Sequence, residues 1–144
     1  MKVDIRTYSE GDLEDLLLTW ERATKLAHPF LTESFLEKEK YNIPNLYLPN
    51  ADTWVLVISE RVVGFIALIG NEVGALFVDP EYHRKGFGKL LMDKAQGLHN
   101  RLEVEVFKEN SLGRDFYQRY GFIVQQQKIH KETGCQLLRL FYTP

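Results

Sequence analysis

Cysteine is nearly missing from this chain. Cys135 stands alone in 144 residues, so no internal disulfide can form and no cysteine zinc cluster exists. Net charge is scarce as well, −2 at neutral pH. That removes any global electrostatic case for nucleic acid or an anionic membrane as partner. No apolar run approaches the length that crosses a bilayer. The first stretch, MKVDIRTYSEGDLEDLL, is acidic and interrupted, unlike a secretory signal. No repeat, low-complexity tract or Ser/Gly-rich linker divides the sequence. What remains is one expected domain, 1–144, in a reducing cytoplasm. Its 44% apolar and 26% charged residues have the balance of a globular protein.

Periodicity supplies the elements. Residues 2–8 alternate as a strand, and Ser9 with Asp12 can form a capping box. Leu13, Leu16, Leu17, Trp20, Ala23 and Ala27 recur at helical spacing until Pro29. A short helix is expected over 33–40 and an irregular stretch over 41–53, where Pro44 and Pro49 fall. Strands at 54–59, 62–69 and 73–78 have short connections and predict an antiparallel meander. A helix over 87–98, a strand over 101–107, a helix through Leu112, Phe116 and Tyr120 stopped by Gly121, and a hairpin of 122–128 with 136–142 complete the chain. The strand 73–78, the helix and the strand 101–107 form a βαβ crossover, which puts one parallel pair into the sheet.

The loop before the crossover helix reads His83-Arg84-Lys85-Gly86-Phe87-Gly88-Lys89. Its glycines permit positive φ and keep the backbone bare where a helix N-terminus offers free N–H groups. Cations at that end oppose the helix dipole, and a bound phosphate would relieve the conflict. An ordinary glycine-rich turn is the other reading. The loop is neither a dinucleotide fingerprint, since position 91 is Leu91, nor a Walker loop, since Leu90 follows Lys89.

With the run Leu76-Phe77-Val78-Asp79-Pro80 before it, this loop resembles the acetyl-CoA loop of the GNAT N-acetyltransferase superfamily. His83 stands where Arg or Gln is usual. Downstream, KENSLGRDFYQRYGF at 108–122 resembles that family's second block, through Asn110, Phe116-Tyr117 and Tyr120-Gly121-Phe122. Gly113 stands there where Ala is commoner, a change expected to matter little. The stretches ATKLAHPF and YLPNADTWV are similar to a small bacterial single-domain branch.

The resemblance implies an α+β fold. Its mixed, mostly antiparallel sheet has about seven strands with one splayed parallel pair, flanked by about four helices. It implies transfer of an acetyl group from acetyl-CoA directly to a primary amine. The branch tilts the acceptor toward a protein lysine or N-terminus, with a small amine or a non-catalytic acyl-CoA-binding module as alternatives. Residues 83–89, the backbone of Phe77 and Val78, Asn110 and Phe116 would hold the cofactor. Asn110 can equally cap a helix.

The resemblance makes Tyr117 the candidate general acid, protonated at neutral pH, though its spacing alone suits the core. Glu105, whose spacing before Asn110 and Tyr117 resembles that of the ribosomal-protein N-terminal acetyltransferases, is the candidate base so implied, with Glu103 in reserve and pairing with an arginine or exposure to solvent as the structural alternative. His28 and Phe30 are expected to line the acceptor groove, and His28 is an alternative base. Trp20 reads more safely as core. Glu33, Glu37, Glu39 and Asp52 are spread as on a solvated surface. No metal is expected, and the protein is expected to act as a monomer or homodimer.

Overall fold

A computed structural model of the chain describes residues 2–144. β1 (Val3–Thr7) leads through a short 3₁₀ turn into α1 (Leu13–Ala27) and then α2 (Glu33–Asn42). The meander follows as β2 (Asp52–Ile58), β3 (Arg61–Ile69) and β4 (Glu72–Val78). Then come α3 (Phe87–Leu98), β5 (Leu102–Phe107), α4 (Ser111–Tyr120), β6 (Ile123–Ile129) and β7 (Gln136–Tyr142). The seven strands form one sheet in the order β1-β2-β3-β4-β5-β7-β6. Every pairing is antiparallel except β4 with β5.

Each face of the sheet buries a separate core. On one side Leu16 and Trp20 of α1 cover Val55, Val62 and Phe65. On the other, Leu91, Met92 and Ala95 of α3 and Tyr117 of α4 meet Ile66, Val104 and Val106. The 41–53 stretch is not irregular as expected. Residues Ile43–Tyr47 make a wide π turn and Leu48–Asn50 a 3₁₀ turn. Pro44 and Pro49 sit in the first turn of each, where the missing N–H is not needed. This helical path carries Ile43 into the core beneath α1.

The parallel pair is short. Only Glu72 with Glu103 and Val73 with Val104 are in register, and beyond them the strands part. The cause lies on the other edge of β4. Ala67 opposes Ala75 while Leu68 opposes Val73, so Gly74 is an extra residue, a bulge. A bulge bends its strand and sharpens the local twist, and this one sits where β4 leaves β5. The gap opened by that bend holds the candidate site.

Candidate active site

The backbone of β4 faces the gap with alternate residues. Asp79 N–H donates to Val63 O at 2.8 Å. Alternation along the strand then turns the polar groups of Phe77 toward β3 and those of Leu76 and Val78 toward the gap. Phe77 and Val78 were expected to be free together. Phe77 is committed to β3 instead, and Leu76 takes its place. Val78 O already accepts from His83 Nε2 at 2.8 Å, so Val78 contributes its N–H alone. His83 thereby ties the loop to the end of the strand.

Arg84 (φ 63°) and Gly86 (φ 80°) are both left-handed and flank Lys85. Gly86 is the N-cap of α3 and brings no side chain to cap it, and the first turn carries no acid. The first helical hydrogen bond is Leu90 N–H to Gly86 O. The N–H groups of Phe87, Gly88 and Lys89 therefore precede the helical ladder. Exposed Arg84, Lys85 and Lys89 stand beside them. Lys89 is partly neutralised by Asp93 at 2.9 Å. The donor set fits a diphosphate: bare N–H groups, a positive dipole end and cations, with no competing carboxylate in the turn. The two glycines differ in purpose. Gly86 supplies the left-handed turn, whereas a Cβ on Gly88 would lie 3.1 Å from Phe116 Cε1. Gly88 thus lets α3 approach α4.

On the far side of the gap, Asn110 caps α4. Its Oδ1 accepts from Gly113 N–H at 2.9 Å, which fixes the orientation of the amide. Its Nδ2 therefore donates to His28 Nε2, 3.2 Å away. His28 Nδ1 then carries the ring proton and donates to Thr24 Oγ1 at 2.8 Å. Burial pushes the His28 imidazole down to about 4, so it is neutral at physiological pH. Gly113 is not an indifferent departure from the family pattern. A Cβ there would stand 2.6 Å from Asn110 Nδ2, and the missing side chain makes room for the amide.

Tyr117 lies one α4 turn beyond, buried against Phe116 and Phe122. Burial raises its phenol above the ordinary value, keeping it protonated. His28, Phe30 and Phe107 form an edge-on cluster with centroids 5.4–5.7 Å apart. His130 extends that cluster, 5.4 Å from Phe107.

Glu105 takes the paired alternative. Its Oε2 bonds both Lys128 and Arg139, and Arg139 also holds Glu72 and Glu103. Partial burial would push the Glu105 carboxyl up, but the bonds to Lys128 and Arg139 outweigh it and hold it below its usual value. Glu105 is ionised and weakly basic.

A cavity of about 230 Å³ runs through the gap. Tyr117, Asn110, Val106, Trp20, Leu36 and Ile43 are among the residues that line it. The site thus brings together Tyr117, Asn110, His28, Glu105 and Phe77, while Phe30 joins through its ring contacts. Sequence reasoning passed over the Gly74 bulge and read Glu39 as one of several solvated carboxylates, whereas it is half-buried and lines the cavity. A glycine inside a strand signals a bulge and could have revealed the first. Nothing in the sequence separates Glu39 from its acidic neighbours.

Residues 49–124 match the family model of the acetyltransferase (GNAT) domain. The peptidyl-lysine N-acetyltransferase YjaB of Salmonella typhimurium is 32% identical, covering 99% of each chain. The peptidyl-lysine N-acetyltransferase YiaC of Escherichia coli is 33% identical over 90% of this chain and 89% of that one. A spermidine N1-acetyltransferase of Thermoplasma acidophilum is 30% identical over 87% and 91%. The solution structure of apo YjaB from Escherichia coli superposes with a TM-score of 0.89 at 29% identity, over 99% of this chain and 98% of that one.

Proposed function

The chain belongs to the GNAT acetyltransferase family and is an acetyl-CoA-dependent N-acetyltransferase; from that premise we propose that its acceptor is a lysine side chain of a protein. One observation carries the acceptor reading. The cavity through the gap has apolar walls, Trp20, Leu36, Ile43 and Phe65 among them, suited to the methylenes of a lysine whose amine must reach Tyr117. The two relatives named for peptidyl-lysine agree with this. The spermidine relative supports a second reading, a small polyamine in the same cavity.

Acetyl-CoA supplies an activated thioester when bound. Residues Phe87, Gly88 and Lys89 offer their N–H groups to its diphosphate, with Arg84 and Lys85 adding charge. Leu76, Val78, Asn110 and Phe116 hold the arm that follows. The Val78 N–H would donate to the thioester carbonyl oxygen, where negative charge builds during attack. Glu105, ionised and already compensated by two cations, takes the proton of the attacking amine and passes it to solvent. Tyr117 gives its own phenolic proton to the leaving sulfur and regains one from solvent. His28 is neutral, and both of its nitrogens are engaged, so it lines the groove and holds Asn110 in place of acting as base. We further take 1–144 as one domain, working as a monomer or homodimer in the cytoplasm. Among the described residues no helix is long and apolar enough to cross a membrane.

Thiol release from acetyl-CoA, measured with lysine peptides, free-N-terminus peptides and polyamines in parallel, tests the reading. Mass spectrometry should place the acetyl group on a lysine Nε. Turnover with polyamines alone would overturn the protein acceptor.

A further inference from the structure

Two carboxylates line the cavity, Glu105 and Glu39, and their electrostatic situations differ. Glu105 is held by Lys128 and Arg139. Glu39, half-buried on α2, accepts a hydrogen bond from the Tyr47 hydroxyl. The lysines nearest to it in sequence are engaged elsewhere. Lys38 pairs with Glu132 at 2.8 Å and Lys40 with Glu21 at 3.2 Å. Among the described residues no cation is paired with Glu39. Burial and the bond to Glu39 push the Tyr47 phenol up to about 12, so Tyr47 remains the donor and fixes the carboxylate. Tyr47 is 39% exposed, which puts the pair at the rim of the cavity.

A fixed anion at the rim of an apolar cavity, with no cation in salt-bridge contact, is a receptor for a cation. That cation is not the reacting amine. Glu105, compensated by Lys128 and Arg139, serves that amine; a carboxylate with no cation in contact would stabilise its charged form and oppose the proton loss that attack requires. We propose that Glu39, oriented by Tyr47, recognises a second positive group on the acceptor, an ammonium or guanidinium next to the amine that is acetylated. On a protein this means a lysine neighboured by arginine or lysine. The inference rests on the acceptor reading above and adds a specificity residue to it.

Two capped peptides, identical except for arginine or alanine beside the single lysine, test it with wild-type enzyme, Glu39→Gln and Tyr47→Phe. Wild type should favour the arginine peptide through KM. Glu39→Gln should raise KM for that peptide roughly tenfold, leaving the alanine peptide and kcat nearly unchanged. Tyr47→Phe should give a smaller shift in the same direction. Acetyl-CoA affinity and melting temperature should stay at wild-type values in both variants, showing that folding is not the cause. Equal changes for both peptides, or none, would overturn the role of Glu39 while leaving the lysine acceptor standing. Absence of wild-type turnover on either peptide would overturn the lysine reading and this inference with it.

Discussion

His28 Nε2 accepts a hydrogen bond from Asn110 Nδ2 at 3.2 Å, across 82 residues of chain. The bond joins the end of α1 to the cap of α4. Because Asn110 also accepts from Gly113 N–H, the amide has one orientation. Replacing His28 with Phe keeps a ring in the aromatic cluster but leaves a buried amide N–H without its partner, at a cost of about 1–3 kcal/mol. Acetyl-CoA affinity should fall with it. Calorimetric titration of His28→Phe checks this, and unchanged affinity would remove Asn110 from the cofactor site.

The same histidine makes stability depend on pH. Its pKa is about 4 in the fold, against 6.5 for a free imidazole. Between those values the unfolded chain binds the additional proton, so stability is full above about pH 6.5 and declines as pH falls toward 4. The loss is about 3 kcal/mol at most. Denaturant melts of wild type and His28→Gln over this window should show a shallower slope in the variant. The acid limb of kcat/KM should not report His28, which is already neutral.

Gly113→Ala tests the space beside Asn110. The new Cβ would lie 2.6 Å from Nδ2, so the amide must turn away and the cap is lost, about 1 kcal/mol. In an Asn110→Ala background the same change meets no amide, only Val106 Cγ2 at 3.2 Å, and should cost clearly less. A double-mutant cycle by thermal melts measures the difference, and additive losses would show that the two residues do not interact.

Tyr117→Phe removes only the hydroxyl from a ring packed on Phe116 and Phe122. Folding and acetyl-CoA binding should persist while kcat drops by about 10²-fold, the usual contribution of a positioned proton donor. Unaltered turnover would dismiss Tyr117 as the acid.

The order of elements, the parallel crossover and the helix bounded by Phe87 and Leu98 were legible because each rests on local periodicity and short connections. What stayed hidden depends on contacts between distant segments. The opening of the sheet needs the Gly74 bulge against Ala67 and Leu68, and a lone glycine in a strand does not announce which partner it slips against. Pro44 and Pro49 read as breakers, yet each begins a helical turn. Gly113 looked interchangeable with alanine until Asn110 was placed beside it. Glu39 became distinct from its acidic neighbours only when α2 laid it against the cavity. The family pattern named Tyr117 and Asn110, but the salt bridges that weaken Glu105 come from β6 and β7, which no motif covers.

Glu105 remains the proposed proton acceptor, and its pairing sets how that role fails. At neutral pH a lysine amine is almost wholly protonated, with an ordinary pKa near 10.4, and an acceptor for that proton matters. Near pH 10 much of the amine is already neutral. Glu105→Gln should therefore lower kcat/KM about tenfold at pH 7, with the deficit shrinking as pH rises. Glu105 is compensated by Lys128 and Arg139, so the variant also leaves Lys128 without a carboxylate. Lys128→Met separates the two effects, because it frees Glu105 from one cation and makes it more basic, and its activity at pH 7 should hold or rise. A deficit in Glu105→Gln that is the same at every pH would assign Glu105 to holding β5, β6 and β7 together, and the proton would then leave by water alone.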